Sequence, residues 1–84
     1  MTRYTVVWGP EAEAELAAVW LAALDRAAVT STVMRIDGEL GYDAIAKGIE
    51  LREGLRTLTV GPLTVAFTAS EQDRLAEIVL VRLT

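Results

Sequence analysis

Neither cysteine nor histidine occurs in this chain. Without cysteine there are no disulfide staples and no thiolate metal sites, a composition that fits a reducing compartment. Without histidine the chain lacks the side chain that most often moves protons at neutral pH, and the commonest metal ligand with it. Any catalysis must fall to arginine, lysine, tyrosine, carboxylates or hydroxyls. Glycine (6) and proline (2) are too scarce for a disordered chain. No apolar run approaches the ~20 residues needed to cross a bilayer, and Met1 to Trp8 is too short and too polar for a signal peptide. A soluble, cytoplasmic protein is the expectation. No Gly-rich phosphate loop, nucleophile elbow or zinc spacing appears, so neither a cofactor nor a metal is expected.

What is present is enough for one core. The chain has 84 residues, which bounds it to a single domain, 1–84. A chain of this size buries roughly 60–65% of the surface its unfolded form exposes. Val, Leu, Ile and Ala dominate, and two Trp add large apolar bodies. The formal net charge is −4, and it is unevenly spread. Residues 1–50 carry four basic side chains (Arg3, Arg26, Arg35, Lys47) against eight acids, while residues 51–84 carry four (Arg52, Arg56, Arg74, Arg82) against four acids. Nonspecific nucleic-acid binding needs a basic surface to displace counterions, and the chain as a whole lacks one. The second half leaves room for a local basic site.

Periodicity orders the elements. From Arg3 to Trp8, Tyr4, Val6 and Trp8 alternate with Arg3, Thr5 and Val7, the pattern of a strand. Gly9-Pro10 breaks it, and Pro10 with Glu11, Glu13 and Glu15 suits the first turns of a helix. Leu16, Val19, Trp20, Ala23 and Leu24 then form one helical stripe. Asp25 can end that helix and cap a second, whose apolar side is Val29, Val33, Ile36 and Leu40, with Gly41 as its stop. The two make a helical hairpin. Residues 42–54 show no clean period and read as a loop with one short helical turn. Three strands follow: Leu55–Val60, Leu63–Ala69 and Leu75–Leu83. Their short connections require an antiparallel meander. The first strand is expected to join beside the last. The expected fold is α+β and two-layered, in the order β-α-α-β-β-β, with the helical hairpin on one face of a mainly antiparallel four-stranded sheet.

That order and several local patterns resemble the RelE/ParE toxin superfamily. "YTVVWGPEAEAELAAVW" resembles its first strand and first helix. "GLRTLTVGPLTVAFTA" resembles its second and third strands, with a Gly-x-Arg opening the former. "DRLAEIVLVRL" resembles its last strand. The resemblance spans nearly the whole chain. It implies a toxin of a type II toxin-antitoxin, or plasmid stabilization, system, neutralised by a cognate antitoxin. The ParE-like branch acts on DNA gyrase. The RelE-like branch cuts mRNA on the ribosome, using clustered Lys and Arg to stabilise charge as a 2′-hydroxyl attacks phosphorus.

On that resemblance the candidate catalytic residues, for a RelE-like activity, are Arg56, Arg82, Arg52 and Lys47. Arg56 stands on the Gly-x-Arg, Arg82 near the end of the last strand, and Arg52 and Lys47 in the preceding loop. Strand parity puts Arg56 with Leu58 and Val60, where a partly buried arginine would seek a carboxylate of the hairpin. Parity also puts Arg82 with Ile78 and Leu80. No tyrosine follows Arg82, where RelE-like nucleases often carry one, and Tyr42 is the remaining candidate for its role. The sequence pI of about 4.6 is acidic where ribosome-dependent toxins are basic. Both features point to a ParE-like, protein-binding toxin ahead of a RelE-like nuclease or a degenerate member that only binds a partner. Trp8 and Trp20 are core candidates and, alternatively, the apolar patch an antitoxin helix would cover.

Overall fold

The alternation of Tyr4, Val6 and Trp8 does become a strand, β1 (Thr5–Trp8). The architecture comes from a computed structural model that describes residues 2–84. Helix α1 (Pro10–Ala22) starts at Pro10, whose missing N–H is no loss in a first turn. Helix α2 (Arg26–Leu40) is capped by Asp25, whose Oδ1 accepts the Ala28 N–H at 3.0 Å. Gly41 closes α2 by donating its N–H to the Asp37 carbonyl at 2.9 Å. Arg26 works backwards onto α1. Its Nε and Nη2 donate to the Trp20 and Leu21 carbonyls (3.1 and 3.0 Å) in the last turn of α1, while its guanidinium stacks 4.6 Å from the Trp20 ring.

A short 3-10 turn, Ala44–Ala46, leads to β2 (Ile49–Arg52), β3 (Leu55–Val60), β4 (Leu63–Ser70) and β5 (Leu75–Leu83). The sheet therefore has five strands where four were expected, in the order β1-β5-β4-β3-β2. The added strand, β2, arises because glycines turn the chain at both of its ends. Gly48 (φ +68°) and Gly54 (φ +82°) fold Ile49–Arg52 back antiparallel on β3. Gly48 is also irreplaceable on packing grounds, since a Cβ there would run into the Thr57 carbonyl. β1 joins the other end of the sheet beside β5, and this pairing is parallel; the rest are antiparallel.

Both helices cover one face. Leu63, Val65 and Phe67 of β4 with Ala76, Ile78 and Val81 of β5 point into a core closed by Ala12, Val29, Ile36 and Leu40. Leu16, Val19 and Val33 pack at its margin, as their spacing predicts. Leu24 does not: α1 ends at Ala22, so Leu24 leaves the stripe and stands fully exposed in the joint. Burial fades toward that joint, and from Trp20 to Ala28 only Ala23 is shielded at all. Glu15 is not merely a solvated first-turn acid. Its Oε1 accepts the Val81 N–H at 2.9 Å, tying α1 to β5 just past an irregularity in the β4–β5 register.

Candidate functional site

That irregularity decides which side chains share a surface. Phe67 pairs with Ile78, but the next β4 residue, Ala66, pairs with Leu80, leaving Val79 as an extra residue in β5. Beyond it the alternation is inverted. Ile78 and Val81 face the helices, while Leu80 and Arg82 face the bare side. Arg82 therefore does not share a face with Ile78, as simple parity predicts. The sequence of β5 hides the shift, because every position from Ile78 to Val81 is aliphatic.

Arg56 lies on the covered side, opposite Phe67 in register and in line with Leu58 and Val60. It is half-buried, yet among the described residues no carboxylate receives it. Its Nε donates to the Lys47 carbonyl at 2.6 Å and its Nη2 to the Gly48 carbonyl at 3.2 Å. The arginine thus holds the loop that precedes β2 against β3. Lys47 turns its own ammonium to Glu39 of α2, at 3.3 Å. Arg52 is exposed at the β2–β3 turn, paired in register with Leu55. Arg56, Lys47 and Arg52 thus stand around the β2–β3 end of the sheet, Arg56 and Lys47 already engaged within the fold, while Arg82 lies on the opposite face.

On the bare face, Arg82 lies across from Thr64 and makes no hydrogen bond or ion pair among the described residues. It borders a shallow hollow of about 180 Å³ lined by Leu51, Thr57, Thr64, Ala66 and Leu80. Hydroxyls run through this side: Thr64 Oγ1 lies 2.9 Å from both Thr59 Oγ1 and Thr84 Oγ1. One cation amid threonines offers anion attraction and hydrogen bonding. It offers no side chain suited to remove a proton near neutrality. Tyr42 is remote from this hollow's lining; its ring sits 5.3 Å from the Arg3 guanidinium, where residues 3 and 42 form an isolated bridge.

The two tryptophans part company. Trp8 packs against the core and donates Nε1–H to Asp37 Oδ1 at 2.8 Å, fastening β1 to α2. Trp20 is 39% exposed and lines a groove of about 450 Å³ between the helices. The groove walls are Glu13, Leu16, Ala17, Trp20 and Leu21 of α1 and Val29, Thr30 and Val33 of α2. Sequence reasoning placed Leu16, Val29 and Val33 in the core and left Leu21 and Ala17 unremarked. The spacing of Ala17 (i+4) and Leu21 (i+8) from Glu13 is the available signal.

Solved structures share this architecture over its full extent. One is a chain of the RelBE2 toxin-antitoxin complex from Mycobacterium tuberculosis, with TM-score 0.82 and 20% identity over 100% of this chain and 94% of that one. The chain has the RelE/ParE-like toxin fold. A chain of the chromosomal ParDE system from P. aeruginosa is similar at TM-score 0.72 and 16% identity, covering 98% of this chain and 97% of that one. A chain of the archaeal RelE-RelB complex from Pyrococcus horikoshii OT3 gives 0.68 and 16%, covering 99% and 96%. Neither a protein-family model nor a curated protein matches the sequence. The likeness is one of fold, at 16–20% sequence identity. Among the described residues, no helix is long and apolar enough to cross a membrane.

Proposed function

We propose that this chain is the toxin component of a type II toxin-antitoxin pair, ParE-like in acting by protein binding, with DNA gyrase as the target the resemblance implies. A cognate antitoxin would hold it through the helical hairpin and a sheet edge. One observation carries the choice of branch: Arg56 and Lys47 are engaged within the fold on the covered side, while Arg82 faces the other way. In-line attack on a phosphodiester needs several donors converging on one phosphorus, because the stabilisation depends on groups fixed around the developing charge. This arrangement supports binding over cleavage. The solved neighbours, all complexes of toxin with antitoxin, support the partner class.

A second reading has a specific basis. Arg82 makes no hydrogen bond or ion pair among the described residues and borders a hollow that includes Thr57 and Thr64, which supports attraction of a phosphate such as a ribosome-dependent mRNA endoribonuclease would bind. Induced expression in bacteria separates the two. The ParE-like reading expects an SOS response and blocked replication with transcripts intact, and inhibition of purified gyrase by the purified protein. Rapid translation arrest with cleaved mRNA would overturn it in favour of the nuclease. Normal growth would leave only a partner-binding role.

A further inference from the structure

From Leu16 to Leu24 the chain carries nine successive apolar residues, so the later turns of α1 are apolar on every side. A helix of that composition calls for cover all round, whereas the fold covers one side of α1 only. Leu16, Val19 and Ala23 pack on the core, while Ala17, Ala22 and Leu21 (65% exposed) stand outward. Charge marks both ends of this outward side. Glu13, at its start, has no basic partner among the described residues. Arg26, at its end, is exposed beside the Trp20 ring and has no acidic partner among them either. Eight residues separate Glu13 from Leu21, whose carbonyl Arg26 holds. That is about 12 Å of helix, which keeps the two charges apart within one chain.

We infer that this side is the contact with a second copy of the chain, the two α1 helices lying antiparallel across a two-fold axis. The arrangement follows from where the charges stand. Ala17 lies midway between Glu13 and Leu21, so an axis through it sets Glu13 of each copy against the Arg26 end of the other. One symmetric contact then forms two ion pairs that a single chain cannot make, and it covers two apolar sides at once. A parallel pairing would set Glu13 against Glu13 and Arg26 against Arg26. Ala17 is exposed and small enough to let the helices come close, and the groove of about 450 Å³ beside Trp20 takes apolar side chains of the opposing helix. Exposed ion pairs add little affinity. Here they fix the direction, and apolar burial supplies the attraction. The inference is independent of the toxin reading and concerns the free chain: any partner that takes the hairpin displaces the second copy.

Sedimentation equilibrium of the intact protein, from about 1 to 300 μM, is expected to show monomer and dimer in exchange. Ala17→Glu should abolish the dimer while thermal unfolding stays unchanged, because the position is exposed in the single chain. Glu13→Arg and Arg26→Glu should each weaken the dimer about tenfold, since each sets like charges together at both contacts. Mixed in equal amounts, those two variants should recover the wild-type affinity, as both contacts of the mixed pair are again opposite in sign. The mixed pair has the same total charge as two wild-type chains, so recovery cannot come from altered net repulsion. If Arg26→Glu fails to fold, having lost its hold on two α1 carbonyls, Glu13→Arg and Ala17→Glu still decide: a dimer that tolerates either one overturns the inference. A mixture no tighter than its parts overturns it as well. So does a chain that stays monomeric throughout, which would leave this face to a partner of another kind.

Discussion

The covered and bare faces of one sheet treat similar residues differently. On the covered face, Phe67, Leu63, Val65 and Ile78 are wholly buried, and Arg56 is fixed by two loop carbonyls. On the bare face, threonines bond to one another and Arg82 has no protein partner among the described residues. The two arginines are chemically identical. What lies above each strand, more than the residue itself, sets whether an arginine is a structural clasp or an available charge.

The largest test of that contrast is Phe67→Ala. Emptying a fully buried aromatic site should reduce stability by about 3–5 kcal/mol, a large part of the total for a small domain. Thr68→Ala, its exposed neighbour on the other side, should change stability by less than about 0.5 kcal/mol. Urea denaturation of both variants measures the difference, and comparable losses would erase the distinction between faces.

Arg56→Ala comes next, at about 2 kcal/mol, for the loss of two charge-assisted hydrogen bonds at a half-buried position. Arg56→Lys should recover little of it, since an ammonium lacks the fork that reaches two carbonyls. Any loss of growth arrest should then follow the fall in folded protein. A well-folded Arg56→Ala protein that has lost toxicity would instead make the residue functional. Glu15→Ala, which leaves the Val81 amide without its acceptor, should reduce stability by about 1–2 kcal/mol. Glu15→Gln should retain most of it, because the amide oxygen can still accept; equal losses would show that charge, and not the hydrogen bond, matters there.

The smallest stability effect belongs to Arg82→Ala, within about 0.5 kcal/mol. Thermal unfolding should barely move. If the wild-type chain proves to cleave transcripts and this variant does not, the bare face is a nuclease surface and the ParE-like reading fails.

Much of this architecture was legible from local pattern. The hairpin, its Asp25 cap, the Gly41 stop, the meander and the placement of β1 beside β5 all follow from periodicity and short connections. β2 was not, for a physical reason. Ile49 and Leu51 do alternate with Glu50 and Arg52, but a four-residue strand makes a weak signal, and both apolar side chains remain exposed (75% and 64%), so no burial demand marks them. The inserted Val79 was invisible because aliphatic residues stand on either side of it, and the face of Arg82 changed with it. The destination of Arg56 was also hidden. A guanidinium can be satisfied by backbone carbonyls as well as by carboxylates, and the sequence does not reveal where a loop's carbonyls will point. The helix groove was half visible: its stripe could be read, but not that the core would leave the joint-side end uncovered.

The parallel pairing of β1 with β5 gives the fold a strict timetable. Residues 5–8 emerge early in synthesis, yet the strand they need spans residues 75–83, and β4 waits for the same strand on its other side. A nascent chain short of that segment has its middle but lacks the plank that joins both sides. Contacts so distant in sequence form slowly, because the intervening chain must first be closed into a loop. The sheet can therefore close only after the codons for that strand have been read, so the last strand to be made is the one that completes the fold.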